Sequence, residues 1–146
     1  MDNQEIQLIK FEKEDSHFIK QYFPSWLKDN SIENIERMIE KWKESLCFCI
    51  LYGKEKAGII TLGGKDEEEL RFGILIREEF RKKGIANRAF EIIKQKAKDQ
   101  GITSIASSCQ SCNLASEKLH RKVGFELVNK EINQSGNEMY RWQMKI

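Results

Sequence analysis

Arg81, Lys82, Lys83, Gly84, Ile85, Ala86 and Asn87 form the stretch whose residue types and spacing best suit a chemical task. The apolar Ile74, Leu75 and Ile76 precede it, Arg77 to Phe80 make a short charged link, and a long amphipathic run follows. This order reads as strand, tight loop, helix start. The first N–H groups of a helix have no partner inside it, and the aligned peptide dipoles leave that end partly positive. A phosphate or pyrophosphate is the natural guest. Gly84 lets main chain approach a bulky anion, Ala86 keeps the next position small, and Arg81, Lys82 and Lys83 add cationic donors. The chain has no Walker run and no G-x-G-x-x-G, which removes the two best-known phosphate loops. An ordinary helix start with a basic collar is the plain alternative.

A second stretch runs from Asn113 to Phe125. Asn113 can cap a helix of about three turns, with Ala115, Ser116, Leu119 and Val123 turned inward, and Gly124 can end it in a left-handed conformation before Phe125 opens a strand. This helix carries His120, one of two histidines and a group that titrates near neutrality. Cys47 and Cys49 form C-x-C, and Cys109 and Cys112 form C-x-x-C. The first pair lies within an apolar strand with both thiols on one face, far from the second, so the four cysteines read as reduced thiols and no metal site is expected.

The elements that must position these residues follow from periodicity. At 146 residues, 40% apolar and 33% charged, the chain reads as one soluble domain, residues 1–146, with one real core. A net charge of +2 favours neither nucleic acid nor an acidic membrane, and the Lys94, Lys96, Lys98 face has no aromatic platform, so it reads as solvated helix. No apolar run approaches membrane-spanning length and the N-terminus lacks a signal layout, so a cytoplasmic protein is expected. Strands are predicted over 6–11, 46–52, 57–62, 70–76, 102–109, 125–130 and 137–146, the second to fourth as an antiparallel meander. Asp15 is expected to cap a short helix broken by Pro24, and Ser31 a longer one carrying Ile32, Ile35, Ile39 and Trp42. The helix from Gly84 to about Gln100 shows an inward stripe of Ile85, Ala89, Ile92, Ile93 and Ala97, and as a crossover it makes the fifth strand parallel to the fourth. Gly73 interrupts the fourth strand and suggests a bulge, a close approach, or a local packing accommodation.

Arg81-x-x-Gly84-x-Ala86 after a strand resembles the coenzyme A pyrophosphate loop of the GNAT superfamily of N-acetyltransferases. Asn113, Ser116, Leu119, Lys122, Gly124 and Phe125 resemble the superfamily's second motif, in the right order and one helix and one strand later. The resemblance spans essentially the whole chain. It implies an α+β fold: a mixed, mostly antiparallel twisted sheet of about seven strands, splayed between the fourth and fifth and flanked by about four helices.

It further implies direct transfer of acetyl from acetyl-CoA to an amine, with Ile74, Leu75 and Ile76 offering main-chain groups to the pantetheine arm. Arg81 to Asn87, Asn113 and Ser116 are the implied coenzyme contacts. Many superfamily members place a tyrosine where His120 stands; a histidine there could donate a proton to the departing thiolate, or simply sit half-exposed. Glu69, from the run Glu67–Glu69, is the candidate base, and a solvated acidic run is its alternative. Ser107 and Ser108 are placed either at the acceptor pocket or against a helix. Ile105-x-Ser107-x-Cys109-x-x-x-Asn113-x-x-Ser116 resembles the branch acting on ribosomal-protein N-termini. The acceptor is therefore expected to be a small-molecule amine or a protein N-terminus. Two copies pairing through the later strands is also implied. The rival readings are a GNAT-fold module that binds acyl-CoA without turning it over, as a sensor or partner domain, and an α/β interaction domain with no cofactor.

Overall fold

Leu46–Tyr52 and Glu55–Gly63 are dense in Ile, Leu, Phe and Cys and buried on both faces, as central strands covered by helices on either side must be. The computed structural model describes residues 4–63 and 70–146. In chain order the strands are β1 (Ile6–Ile9), β2 (Leu46–Tyr52), β3 (Glu55–Gly63), β4 (Leu70–Ile76), β5 (Ser104–Gln110), β6 (Glu126–Ile132) and β7 (Glu138–Lys145). They form one seven-stranded sheet in the order β1-β2-β3-β4-β5-β7-β6. Every neighbouring pair is antiparallel except β4 and β5, which run parallel. The helices are α1 (Ser16–Tyr22), α2 (Ile32–Trp42), α3 (Ile85–Asp99) and α4 (Leu114–Val123). The expected fold class is the observed one.

Strand alternation sorts the core into two clusters. Cys47, Cys49 and Ile59 pack with Ile19 of α1 and Ile35 and Ile39 of α2. Phe48, Ile50 and Ile60 belong to the opposite cluster, with Phe90 and Ile93 of α3 and Val123 of α4. Ser31 caps α2, its Oγ accepting the Asn34 N–H at 3.2 Å. Gly124, at φ 104°, closes α4, and the Phe125 N–H turns back to the His120 carbonyl at 2.9 Å. Among the described residues no helix is long and apolar enough to cross a membrane.

Several expectations need correction. Asp15 does not cap α1 with its side chain. It is buried, accepts the Glu12 N–H at 2.7 Å and pairs with Lys56, because a carboxylate inside the fold needs a cation more than a helix start needs a cap. Phe90 joins the α3 stripe and is fully buried, whereas Ile92 is only partly so. Ala115 faces solvent rather than the core. No bulge occurs at Gly73: the β3–β4 ladder runs from Gly58↔Ile76 to Gly63↔Arg71 without a shift. Of the other readings of Gly73, the packing accommodation is the one observed: the Thr61 Oγ1 would lie 2.9 Å from an added Cβ.

Candidate active site

The sheet opens where its parallel pair parts. β4 and β5 are in register only at Leu70↔Ile105 and Arg71↔Ala106, while β5 stays paired with β7 along its whole length. Beyond that last rung the facing edges of β4 and β5 diverge. Main-chain donors and acceptors on such edges call for another partner. The gap is a trough of about 260 Å³, lined by Ile74 and Leu75 of β4, Ser107 and Ser108 of β5, and Ser116 and His120 of α4. At Leu75 it adjoins a second cavity, of about 290 Å³, bounded by Tyr22, Ile76, Arg77 and Arg81. The two together trace a path from His120 to the basic loop. A broader concavity of about 1120 Å³ is lined by Gln4, Tyr52 and Lys54 and by Arg77, Phe80 and Lys83 of the same loop. It flanks β1 and β2, whose shared ladder is intact, rather than the parting between β4 and β5.

The basic loop is held from beneath. Phe80 is buried and meets the Tyr52 ring edge-on at 6.1 Å. Lys82 and Gly84 both adopt left-handed backbone, at φ 64° and 75°. For Gly84 this is unstrained; for Lys82 it costs about 1 kcal/mol. Gly84 stands at the N-cap of α3 and offers no side chain, and the Arg88 N–H to the Gly84 carbonyl, at 3.2 Å, opens the helical ladder. The N–H groups of Ile85, Ala86 and Asn87 therefore precede the ladder, as a helix-end anion site requires. The Arg81 Nε donates to the Ile76 carbonyl at 3.2 Å, bracing the strand end against the loop. Arg77 lies 3.8 Å over the Tyr22 ring and donates to the Lys56 carbonyl at 2.9 Å.

His120 is 4% exposed and stacks on Trp142, with ring centroids 5.1 Å apart and planes 12° from parallel. Its Nδ1 is 2.6 Å from the Ser116 carbonyl oxygen, and its Nε2 is 2.6 Å from the Ser107 Oγ. A carbonyl only accepts, so the proton resides on Nδ1 and the Ser107 hydroxyl donates to Nε2. Burial pushes the imidazole pKa below its ordinary value, partly offset by the Ser116 carbonyl. Burial thus favours the neutral ring.

Asn113 caps α4 as its type predicts, its Oδ1 accepting the Ser116 N–H at 3.0 Å. Lys82 and Lys83 are exposed, and Asn87 and Ala86 half-buried, at the start of α3. Glu69 lies outside the described residues. His17 is exposed on α1, on the other helical layer from His120. The Cys47 and Cys49 thiols are buried and pushed up to about 12, as burial disfavours the thiolate, so neither is an activated nucleophile. Trp26, which follows α1, also borders the trough, though no sequence motif marks it. Ser107 was legible in part: it shares strand parity with Ile105 and Cys109, all three buried.

Residues 12–125 match the family described as Acetyltransferase (GNAT). The chain belongs to the GNAT family. Curated relatives include L-methionine sulfoximine/L-methionine sulfone acetyltransferases of Pseudomonas paraeruginosa and Pseudomonas aeruginosa, each 30% identical over 69 residues. Those alignments cover 47% of this GNAT chain and only 40% of the relatives' own length. Among solved structures, an acetyltransferase from Salmonella typhimurium that modifies the N-terminal serine of a 50S ribosomal subunit protein superposes with a TM-score of 0.82. It is 15% identical, and the match covers 100% of this chain and 98% of that one. The microcin C7 self-immunity acetyltransferase, in complex with acetyl-CoA and AMP, gives a TM-score of 0.78 at 20% identity, covering 99% and 94%. Both structural likenesses speak to the fold.

Proposed function

We propose that this GNAT chain is a single-domain N-acetyltransferase that moves the acetyl group of acetyl-CoA directly onto a primary amine, of a small molecule or a protein N-terminus. The observation that carries this reading is the β4–β5 opening, which runs from the buried His120 toward the uncapped start of α3. Acetyl-CoA supplies the acetyl group already activated as a thioester. The main-chain groups of Ile74, Leu75 and Ile76 hold its pantetheine arm as an added strand would be held. The N–H groups of Ile85, Ala86 and Asn87, with Arg81, Lys82, Lys83 and Gly84, bind the pyrophosphate. Asn113 and Ser116 border the thioester end from the start of α4. His120 handles protons there, and Glu69 is the candidate base that neutralises the incoming ammonium before attack.

The transfer asks little covalent chemistry of the protein. Positioning an amine beside a thioester in a trough that excludes bulk water supplies much of the acceleration. The partial relatives act on methionine sulfoximine and methionine sulfone, and the Salmonella neighbour on a protein N-terminus, so both acceptor classes belong in the screen. A cytoplasmic setting fits the four cysteines, all free thiols. Pairing of two copies would engage the free edge of β6, where Val128 and Ile132 are 55% and 65% exposed.

The test is thiol release from acetyl-CoA across a panel of amino acids, small amines and peptides with free N-termini. Release with at least one acceptor class is expected. Tight acetyl-CoA binding without release from any of them favours the non-catalytic acyl-CoA-binding module, and absence of binding sinks both.

A further inference from the structure

We infer that Ser107 is the hydroxyl through which His120 exchanges protons with the reacting groups, the two side chains acting as one relay. The inference rests on the transfer reaction proposed above. Three observations converge on it. The Ser107 Oγ lies 2.6 Å from the His120 Nε2, and the Ser116 carbonyl, 2.6 Å from Nδ1, holds the ring in the tautomer that accepts at Nε2. Ser107 is the first β5 residue past the last rung with β4, at Ala106, and it lines the trough. The His120 ring borders the trough too and is as buried as Ser107, both 4% exposed, with Trp142 stacked on it at 5.1 Å and Phe125 and Phe72 approaching to 5.1 and 6.2 Å. Both ring nitrogens are already engaged. A group in the trough therefore reaches the imidazole by way of a hydroxyl.

The proton count closes. At the acetyl carbon a C–N bond forms and the C–S bond breaks, leaving a surplus proton on nitrogen and an electron pair on sulfur. The nitrogen's proton passes to the Ser107 Oγ as Ser107's own proton passes to Nε2, making an imidazolium whose Nδ1–H stays on the Ser116 carbonyl. The same two transfers run in reverse toward the sulfur. Thiol and amide leave, and Ser107 and His120 end as they began. The plain alternative is that Ser107 only satisfies a buried ring nitrogen.

The test uses the acceptor that releases most thiol in the screen, with Ser107→Ala, Ser107→Thr, His120→Gln and the double variant S107A/H120Q. Ser107→Ala is expected to lower kcat about 100-fold, within the range of general acid–base catalysis, and to leave the KM for acetyl-CoA unchanged. Ser107→Thr, which keeps the hydroxyl, should recover most of that loss, and the double variant should be no slower than the slower single one. A Ser107→Ala enzyme with wild-type kcat, or losses that multiply in the double variant, overturns the relay alone. A wild-type chain that binds CoA yet acetylates nothing overturns the transfer reading and the relay with it. Independently of any acceptor, ¹⁵N-histidine NMR should show His120 as the Nδ1–H tautomer with an Nε2 resonance that moves in Ser107→Ala; an Nε2–H tautomer overturns the relay. Intact mass after exposure to acetyl-CoA alone should show no acetyl adduct, and an adduct on Ser107 overturns it in favour of covalent transfer.

Discussion

A Cβ placed on Gly58 would stand 2.2 Å from the carbonyl oxygen of Leu75. Gly58 faces Ile76 across the ladder, so β3 meets β4 at a glycine where β4 leaves the sheet for the basic loop. That contact sets how far the main chain of Leu75 and Ile76 lies from β3, and hence the width of the trough. No side chain fits between them. Gly58→Ala is expected to destabilise the fold by about 2 kcal/mol and to weaken CoA binding. Gly63→Ala, where nothing lies within 4 Å of the added Cβ, is the control. Thermal unfolding and calorimetry with CoA check this, and equal behaviour of the two variants would contradict it.

The loop itself predicts a different pattern. Arg81→Ala removes a guanidinium from the strand–loop junction and should weaken CoA binding about tenfold, the usual worth of one charge-assisted hydrogen bond. Gly84→Val meets open space in the protein but demands left-handed backbone from a branched residue. It should cost about 1–2 kcal/mol of stability and weaken CoA binding further. Unaltered calorimetric affinity in both variants would leave the pyrophosphate with some other seat.

His120 ties stability to pH. Its folded pKa is depressed below the ordinary histidine value of about 6.5, so the unfolded chain takes up the proton first. The contribution of the buried neutral ring is intact above about pH 6.5 and is lost as pH falls from there through the folded value. Denaturant unfolding between pH 7.5 and 5 should show a steeper loss for the wild type than for His120→Gln. Parallel curves would count against a neutral buried ring.

The thiols should separate sharply. Cys112 is exposed, whereas Cys47, Cys49 and Cys109 are buried, the first two with thiol pKa pushed up to about 12. Ellman's reagent at pH 8 is expected to label the native chain quickly at Cys112 alone, and all four cysteines only after denaturation. Rapid labelling of Cys47 or Cys49 would mean that β2 is not the covered central strand described here.

Asp15 was read from the sequence as a helix cap and is instead a buried partner of Lys56. Asp15→Asn should destabilise the fold by about 2 kcal/mol, because Lys56 and the Glu12 N–H lose their anionic acceptor, while CoA binding stays unchanged. Chemical denaturation alongside calorimetry separates the two effects.

Local order was legible where one stretch carries its own physics. β2 and β4 fall on the residues that periodicity predicted, and Ser31 and Asn113 cap the helices their types announce. The turn at Lys83–Gly84 could be read because a helix start with no capping side chain, preceded by cations, is a local arrangement. Asp15 and Ala115 were misjudged because each is decided by surroundings that the local pattern does not show, Lys56 for the first and solvent for the second, while of the readings open for Gly73 the packing accommodation, against Thr61, is the one observed.

By itself the sequence determined the family, the order of strands and helices, and the glycine-led helix start behind a basic loop, since each depends on residues within a few turns of one another. Only the tertiary structure decided that β4 parts from β5 just after Arg71, and that Ser107, thirteen residues before His120, closes on its Nε2. The reason is physical: a hydrogen bond between a strand and a later helix exists only once the crossing of α4 over β5 is set, and that crossing is fixed by packing among Trp142, Phe125 and Phe72 rather than by any local pattern.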